Sequence, residues 1–195
     1  MKTSLRSAVI GNFVIFQCLW FAAILGAARG VQWPVLVALA VMLLWAWWHG
    51  SAWQSDLRMA AAGLAVGLAV EPLWLAAGVI EYRLQWSAGL PPLWILVLWC
   101  GFAVTFNHSL AWLCGRPRLA AAFGALGSAG SVVAGVRLGA AEAPAGLVAL
   151  VFAYGALWAV IVPALAWWAT RPPSGPGASD HQDREDTGRG GHGLA

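Results

Sequence analysis

Glu71 is the residue with the most chemistry open to it. It stands inside a long apolar stretch, directly before Pro72. A carboxyl group in such a place either keeps its proton and donates a hydrogen bond, or ionises and needs a cation. Pro72 has no backbone N–H, so the carbonyl of Leu68 is open to another donor, and a protonated Glu71 can supply it. Arg137 is the natural cation for an ionised Glu71. In two membrane helices running the same way, the two residues differ in depth by about 6 Å, within reach of an arginine stem. A second group is Asn107, His108 and Ser109, consecutive within another apolar stretch. His108 is the proton-handling member, and the amide and hydroxyl suit hydrogen bonds between helices. Successive helical positions point about 100° apart, so the three are not expected to face one partner. Asn12 and Gln17 interrupt the first apolar stretch, and Asn12, Asn107 and His108 are expected to gather in one polar cluster. Each group also has a purely structural reading. Glu71 and Arg137 can be a buried pair that orients two helices, and the amide cluster can be interhelical glue.

Other chemistry is excluded by what the residues do not spell. The chain has no HExxH, no GxSxG, no phosphate-binding loop and no histidine box. Its three cysteines, Cys18, Cys100 and Cys114, form no CxxC pair and sit in or beside apolar segments. They read as small apolar packing residues, not as a disulfide framework or zinc site. No metal and no cofactor is expected. The basic residues are mostly single and spread over connections, so nucleic acid is not an expected partner.

The elements that hold these residues are membrane helices. Of the 195 residues, 61% are hydrophobic and 10% charged, whereas a soluble domain carries about 25% charged residues. Six apolar segments cover residues 8–28, 33–48, 57–80, 92–113, 119–141 and 145–168, each near the length that spans a bilayer as a helix. The fold predicted is an all-α bundle of six transmembrane helices over residues 1–170, followed by a disordered polar tail, 171–195, rich in Pro, Gly and charge. The first segment is longer than a signal peptide's apolar core and reads as a retained helix. With the N-terminus inside, eight Lys and Arg fall on the cytoplasmic side and three outside, which puts both termini in the cytoplasm. Most of the 14 tryptophans fall near segment ends, where indoles favour the lipid–water boundary. Trp20, Trp74, Trp99 and Trp158 lie deeper and read as packing residues. Gly127, Ser131, Gly135 and Gly139 recur every four residues, and Gly63 and Gly67 form a GxxxG. Both patterns let helix backbones approach closely, within the bundle more readily than across a dimer face. The sequence leaves the oligomeric state open. It shows no inverted repeat of the transporter kind.

Three stretches carry a resemblance: NFVIFQCLWFAAILGAA, PPLWILVLWCGFAVTFNHSLAWL and GALGSAGSVVAGVRLGA. Over roughly residues 8–168 the chain resembles a bacterial family known as domain of unknown function 2878. The resemblance implies a small multi-pass protein of the bacterial cytoplasmic (inner) membrane, whose genes often neighbour lipid-modifying enzymes such as cyclopropane-synthase-like methyltransferases. The expected function is a non-enzymatic accessory in membrane lipid or envelope metabolism, with the lipid bilayer and a membrane protein or lipid enzyme as partners. Two other readings stand beside it. One is a small-molecule or proton-coupled transporter using Glu71, His108 and Arg137. The other is a membrane-embedded lipid-modifying enzyme.

Overall fold

The computed structural model of the protein describes residues 2–49, 53–87 and 89–171, with side chains from Ser7 onward. The tail expected beyond Arg171, with its two histidines, lies outside the described residues. The architecture is all-helical: α1 (Lys2–Ala28), α2 (Trp33–Trp48), α3 (Trp53–Ala76), α4 (Leu93–Val104), α5 (Pro117–Arg137) and α6 (Leu147–Ala169). Two strands of two residues each, β1 (Glu81–Tyr82) after α3 and β2 (Ala141–Glu142) after α5, pair antiparallel. Four helices are long and apolar enough to cross a membrane: Ser7–Ala28 within α1, α3, α5 and α6. That make-up is the one a multi-pass membrane protein has.

The helices pack as hairpins, α1 on α2, α3 on α4 and α5 on α6. The α4 helix is central, also touching α1 and α2, while α3 meets α6. Close approach of α3 and α4 follows from residue size. Asp56, Met59, Gly63, Gly67 and Glu71 form one buried stripe along α3. A Cβ on Gly63 would collide with the backbone carbonyl of Trp99, and one on Gly67 would lie 2.6 Å from the Trp99 ring. Gly124 of α5 sits the same way against the Trp158 carbonyl of α6. The other α5 glycines differ. A Cβ on Gly127 or Gly130 would meet nothing, and one on Gly135 or Gly139 would make only ordinary contact. Of the Gly127–Ser131–Gly135–Gly139 stripe, expected to be a helix-packing seam, Gly127 faces open space, Ser131 meets Trp20 of α1, and Gly135 and Gly139 lie near Ile24 and Ala28 of α1. The seam of close backbone contact on α5 runs instead through Gly124.

The fourth segment departs from a single span. Its α-helix stops at Val104 after 12 residues, and the chain continues through a 3-10 turn, Thr105–Asn107, and a second one, Ala111–Leu113. Thr105 helps to end it. Its hydroxyl bonds the carbonyl of Phe102 at 2.5 Å, and its own carbonyl takes the N–H of His108 and of Leu110. Threonine competing for backbone partners in this way loosens a helix. Irregular backbone is tolerated at membrane depth where protein buries it, and Thr105 and Phe106 are buried.

The far ends of α3 and α5 are shaped alike. Gly78 and Gly139 adopt positive φ, 61° and 83°, open to glycine without penalty. Val79 N–H returns to the Trp74 carbonyl, and Ala140 N–H to that of Gly135. These turns close the helices and send the chain back across the bundle end. There Tyr82 pairs with Ala141, and its side chain is buried among the helices. Tryptophans 33, 47, 48, 53, 86, 112, 167 and 168 are at least partly exposed at helix ends or connections, as a belt at the lipid–water boundary would be. Trp94 is the exception, 1% exposed and in the core.

Candidate functional site

Two polar constellations lie at opposite ends of the α3–α4 pair. The first is centred on Glu71, which is 1% exposed. Its Oε1 accepts the indole N–H of Trp99 at 2.8 Å. Its Oε2 takes a short hydrogen bond with the Tyr82 hydroxyl. The Tyr82 hydroxyl lies 2.9 Å from that of Tyr154. Burial, and then the neighbouring carboxyl of Glu71, push the Tyr82 hydroxyl well above the ordinary tyrosine range, so it keeps its proton. An indole N–H only donates. Oε1 thus accepts from Trp99 and Oε2 from Tyr82, one lone pair on each oxygen. Carboxyl, Tyr82 and Tyr154 form a chain along which hydrogen-bond direction can reverse. Aromatic stacking holds it in place: Trp74 on Tyr154 at 5.3 Å, Trp99 on Trp158 at 4.6 Å, and Tyr82 edge-on to Trp94 at 5.3 Å between centroids.

This network forms part of the wall of a partly open cavity of about 490 Å³. Its sides come from α1 (Phe16, Gln17, Trp20, Phe21, Ile24), α4 (Trp94, Leu98, Trp99, Phe102), α5 (Gly124 to Gly135) and α6 (Tyr154, Trp158). The helices α1 and α5 face each other across it with little direct packing. One hydrogen bond bridges them, from the Trp20 indole N–H to the Ser131 hydroxyl at 2.9 Å. Phe21, Phe123, Leu126, Gly127 and Gly130 line the cavity yet are exposed on the outer surface, which marks its mouth. The indole N–H groups of Trp94 and Trp158, both on the lining, are buried without a hydrogen-bond partner.

The second constellation lies where α3 begins and α4 unwinds. Asp56 Oδ1 accepts the Asn107 amide N–H at 2.7 Å. His108 Nε2 lies 3.0 Å from Asp56 Oδ1 and 3.2 Å from Oδ2. Beside it, Asn12 Oδ1 accepts the Ser109 hydroxyl at 2.7 Å and the Ser109 N–H at 3.3 Å. Asn12 is buried, and its amide Nδ2 has no partner.

Several sequence expectations change. Arg137 is exposed at the end of α5, and Glu71 is bound by Tyr82 and Trp99 instead. The Glu71 proton does not serve the Leu68 carbonyl, because the side chain turns across to α4 and β1. Asn107 and His108 share Asp56 while Ser109 turns to Asn12, so the three do not all face one partner, as expected. Gln17 does not join that cluster; it lines the cavity. Trp20, Trp99 and Trp158, read as packing residues, also line it.

Sequence reasoning missed Asp56, Tyr82 and Tyr154. Asp56 lies in the first turn of α3, where an acid is ordinary. Its signal was its spacing from Glu71, which puts both on one helical stripe. The two tyrosines are the only ones in the chain, a scarcity that pointed to them. Among the described residues no group of three or more His, Cys, Asp or Glu side chains fits a metal ion.

No curated protein and no solved structure matches the chain. The matching family model extends over residues 9–164, from the start of the α1 wall through the whole cavity and both polar constellations, and on it the chain belongs to the family described as Protein of unknown function (DUF2878).

Proposed function

We propose that this protein binds a lipid-like amphiphile inside the membrane and acts as a non-enzymatic accessory in membrane lipid or envelope metabolism. One observation carries the reading: a largely apolar cavity with a side mouth between α1 and α5 and a hydrogen-bonding wall at Glu71. Its volume suits a ligand pocket of about 300–1,000 Å³. The mouth is rimmed by Phe21, Phe123 and Leu126, and an apolar rim at the lipid face admits a chain and repels ions. The bilayer is the bacterial cytoplasmic membrane that the family resemblance implies, and the Lys and Arg distribution puts both termini inside. There α2 and the shorter α4, with its irregular continuation, complete six crossings.

The transporter and enzyme readings fare less well. Both need Glu71 and His108 to work together, with Arg137 for transport. Asp56, which holds His108, and Glu71 are about 22 Å apart along α3, and Arg137 is in neither site. The test is organic extraction of the purified protein and mass spectrometry of what it carries. Wild type should be enriched in particular amphiphiles relative to the bulk membrane. Gly127→Trp, whose side chain fills the mouth where a Cβ meets nothing, should lose them. Identical, membrane-like profiles for both proteins would reject the reading.

A further inference from the structure

The wall at Glu71 is acidic and brings no cation of its own. Among the described residues the close contacts between basic and acidic side chains are Arg83 with Glu142 and His108 with Asp56, and neither involves Glu71. Trp99 and Tyr82 each use one lone pair of the carboxyl, one on each oxygen, and leave others for a ligand. The surrounding wall is aromatic, with Trp94, Trp99, Trp158, Tyr82 and Tyr154 on the lining. Trp and Tyr faces carry the negative end of a quadrupole and attract cations, most strongly when water is excluded. A carboxyl group within an aromatic cage is the combination that selects an ammonium head over a neutral one.

We infer that the cavity takes an amine-bearing amphiphile, an ammonium head on an apolar chain. The ammonium faces Glu71 within the aromatic wall, and the chain leaves through the mouth between α1 and α5. This rests on the reading of the cavity as a lipid-facing binding site.

The experiment compares two probes of the same shape, a dodecyl amino alcohol and the isosteric dodecyl diol. Each is titrated against the full chain in lipid nanodiscs, with empty nanodiscs subtracted, and read by tryptophan fluorescence. Wild type should bind the amino alcohol about tenfold tighter than the diol, or more. Glu71→Gln should remove that preference, and Gly127→Trp should weaken both probes. Equal affinity of wild type for the two probes would overturn the ammonium inference and leave the cavity reading standing. No saturable binding of either would overturn both. The wild-type comparison decides the matter even where Glu71→Gln does not fold.

Discussion

At the scale of single residues, the two polar constellations are expected to respond differently to substitution. Glu71→Gln keeps an acceptor for Tyr82 or Trp99 and should cost little stability. Glu71→Leu leaves the Trp99 indole and the Tyr82 hydroxyl unmet and should cost about 1–3 kcal/mol more, read as a lower midpoint in a detergent unfolding titration. Equal effects of the two variants would mean that these hydrogen bonds contribute nothing. At the other end, Asp56→Ala removes the acceptor shared by Asn107 and His108. Asp56→Asn retains one acceptor oxygen, so it should unfold later than Asp56→Ala in the same titration. The sequence made Glu71, Asn107, His108 and Asn12 visible because a polar residue inside an apolar run has a cost that must be met. It did not make their partners visible. Tyr82 comes from a connection outside the apolar runs, and Asp56 from a helix start where acids raise no question. A pairing of side chains across a fold is a property of tertiary structure, and Arg137 was chosen for Glu71 on depth alone.

At the scale of the elements, the glycines divide into two classes with opposite expected outcomes. Gly63→Ala and Gly124→Ala drive a methyl group into the Trp99 and Trp158 carbonyls. Each should cost about 1–3 kcal/mol, as overpacking does. Gly127→Ala and Gly130→Ala enter open space within a helix, where alanine is favoured by up to about 1 kcal/mol. Thermal melting of the four variants sorts them, and a loss of stability in Gly127→Ala would contradict an open mouth. Small-residue periodicity in the sequence located surfaces that lack side chains. It does not distinguish a surface against which another helix packs from one that lines a void, because both need small residues. The end of α4 was similarly hidden. Residues 92–113 are apolar enough, apart from Asn107, His108 and Ser109, to read as one span. The helix ends at Thr105 through local hydrogen bonds and the pull of Asp56 on two adjacent side chains, with no Gly or Pro to announce it.

At the scale of the whole molecule, helical class and multi-pass make-up follow from composition and segment length, and both are legible in the sequence. The cavity was not, because it depends on α5 packing along α6 and leaving α1 to stand apart. Topology is the expectation that belongs here. In a background without the native cysteines, a cysteine placed at Ser87, between α3 and α4, should react with an impermeant thiol reagent added to intact cells. One placed at Arg116, before α5, should react only after the membrane is opened. The reverse pattern would invert the orientation drawn from the Lys and Arg distribution. The most direct measurement of the central claim is a density map of the protein embedded in native lipid. The account predicts an elongated feature that enters between Phe21 and Leu126 and ends within about 3 Å of Glu71, hydrogen-bond distance. A cavity closed by α1 packing onto α5, with no such feature, would contradict it.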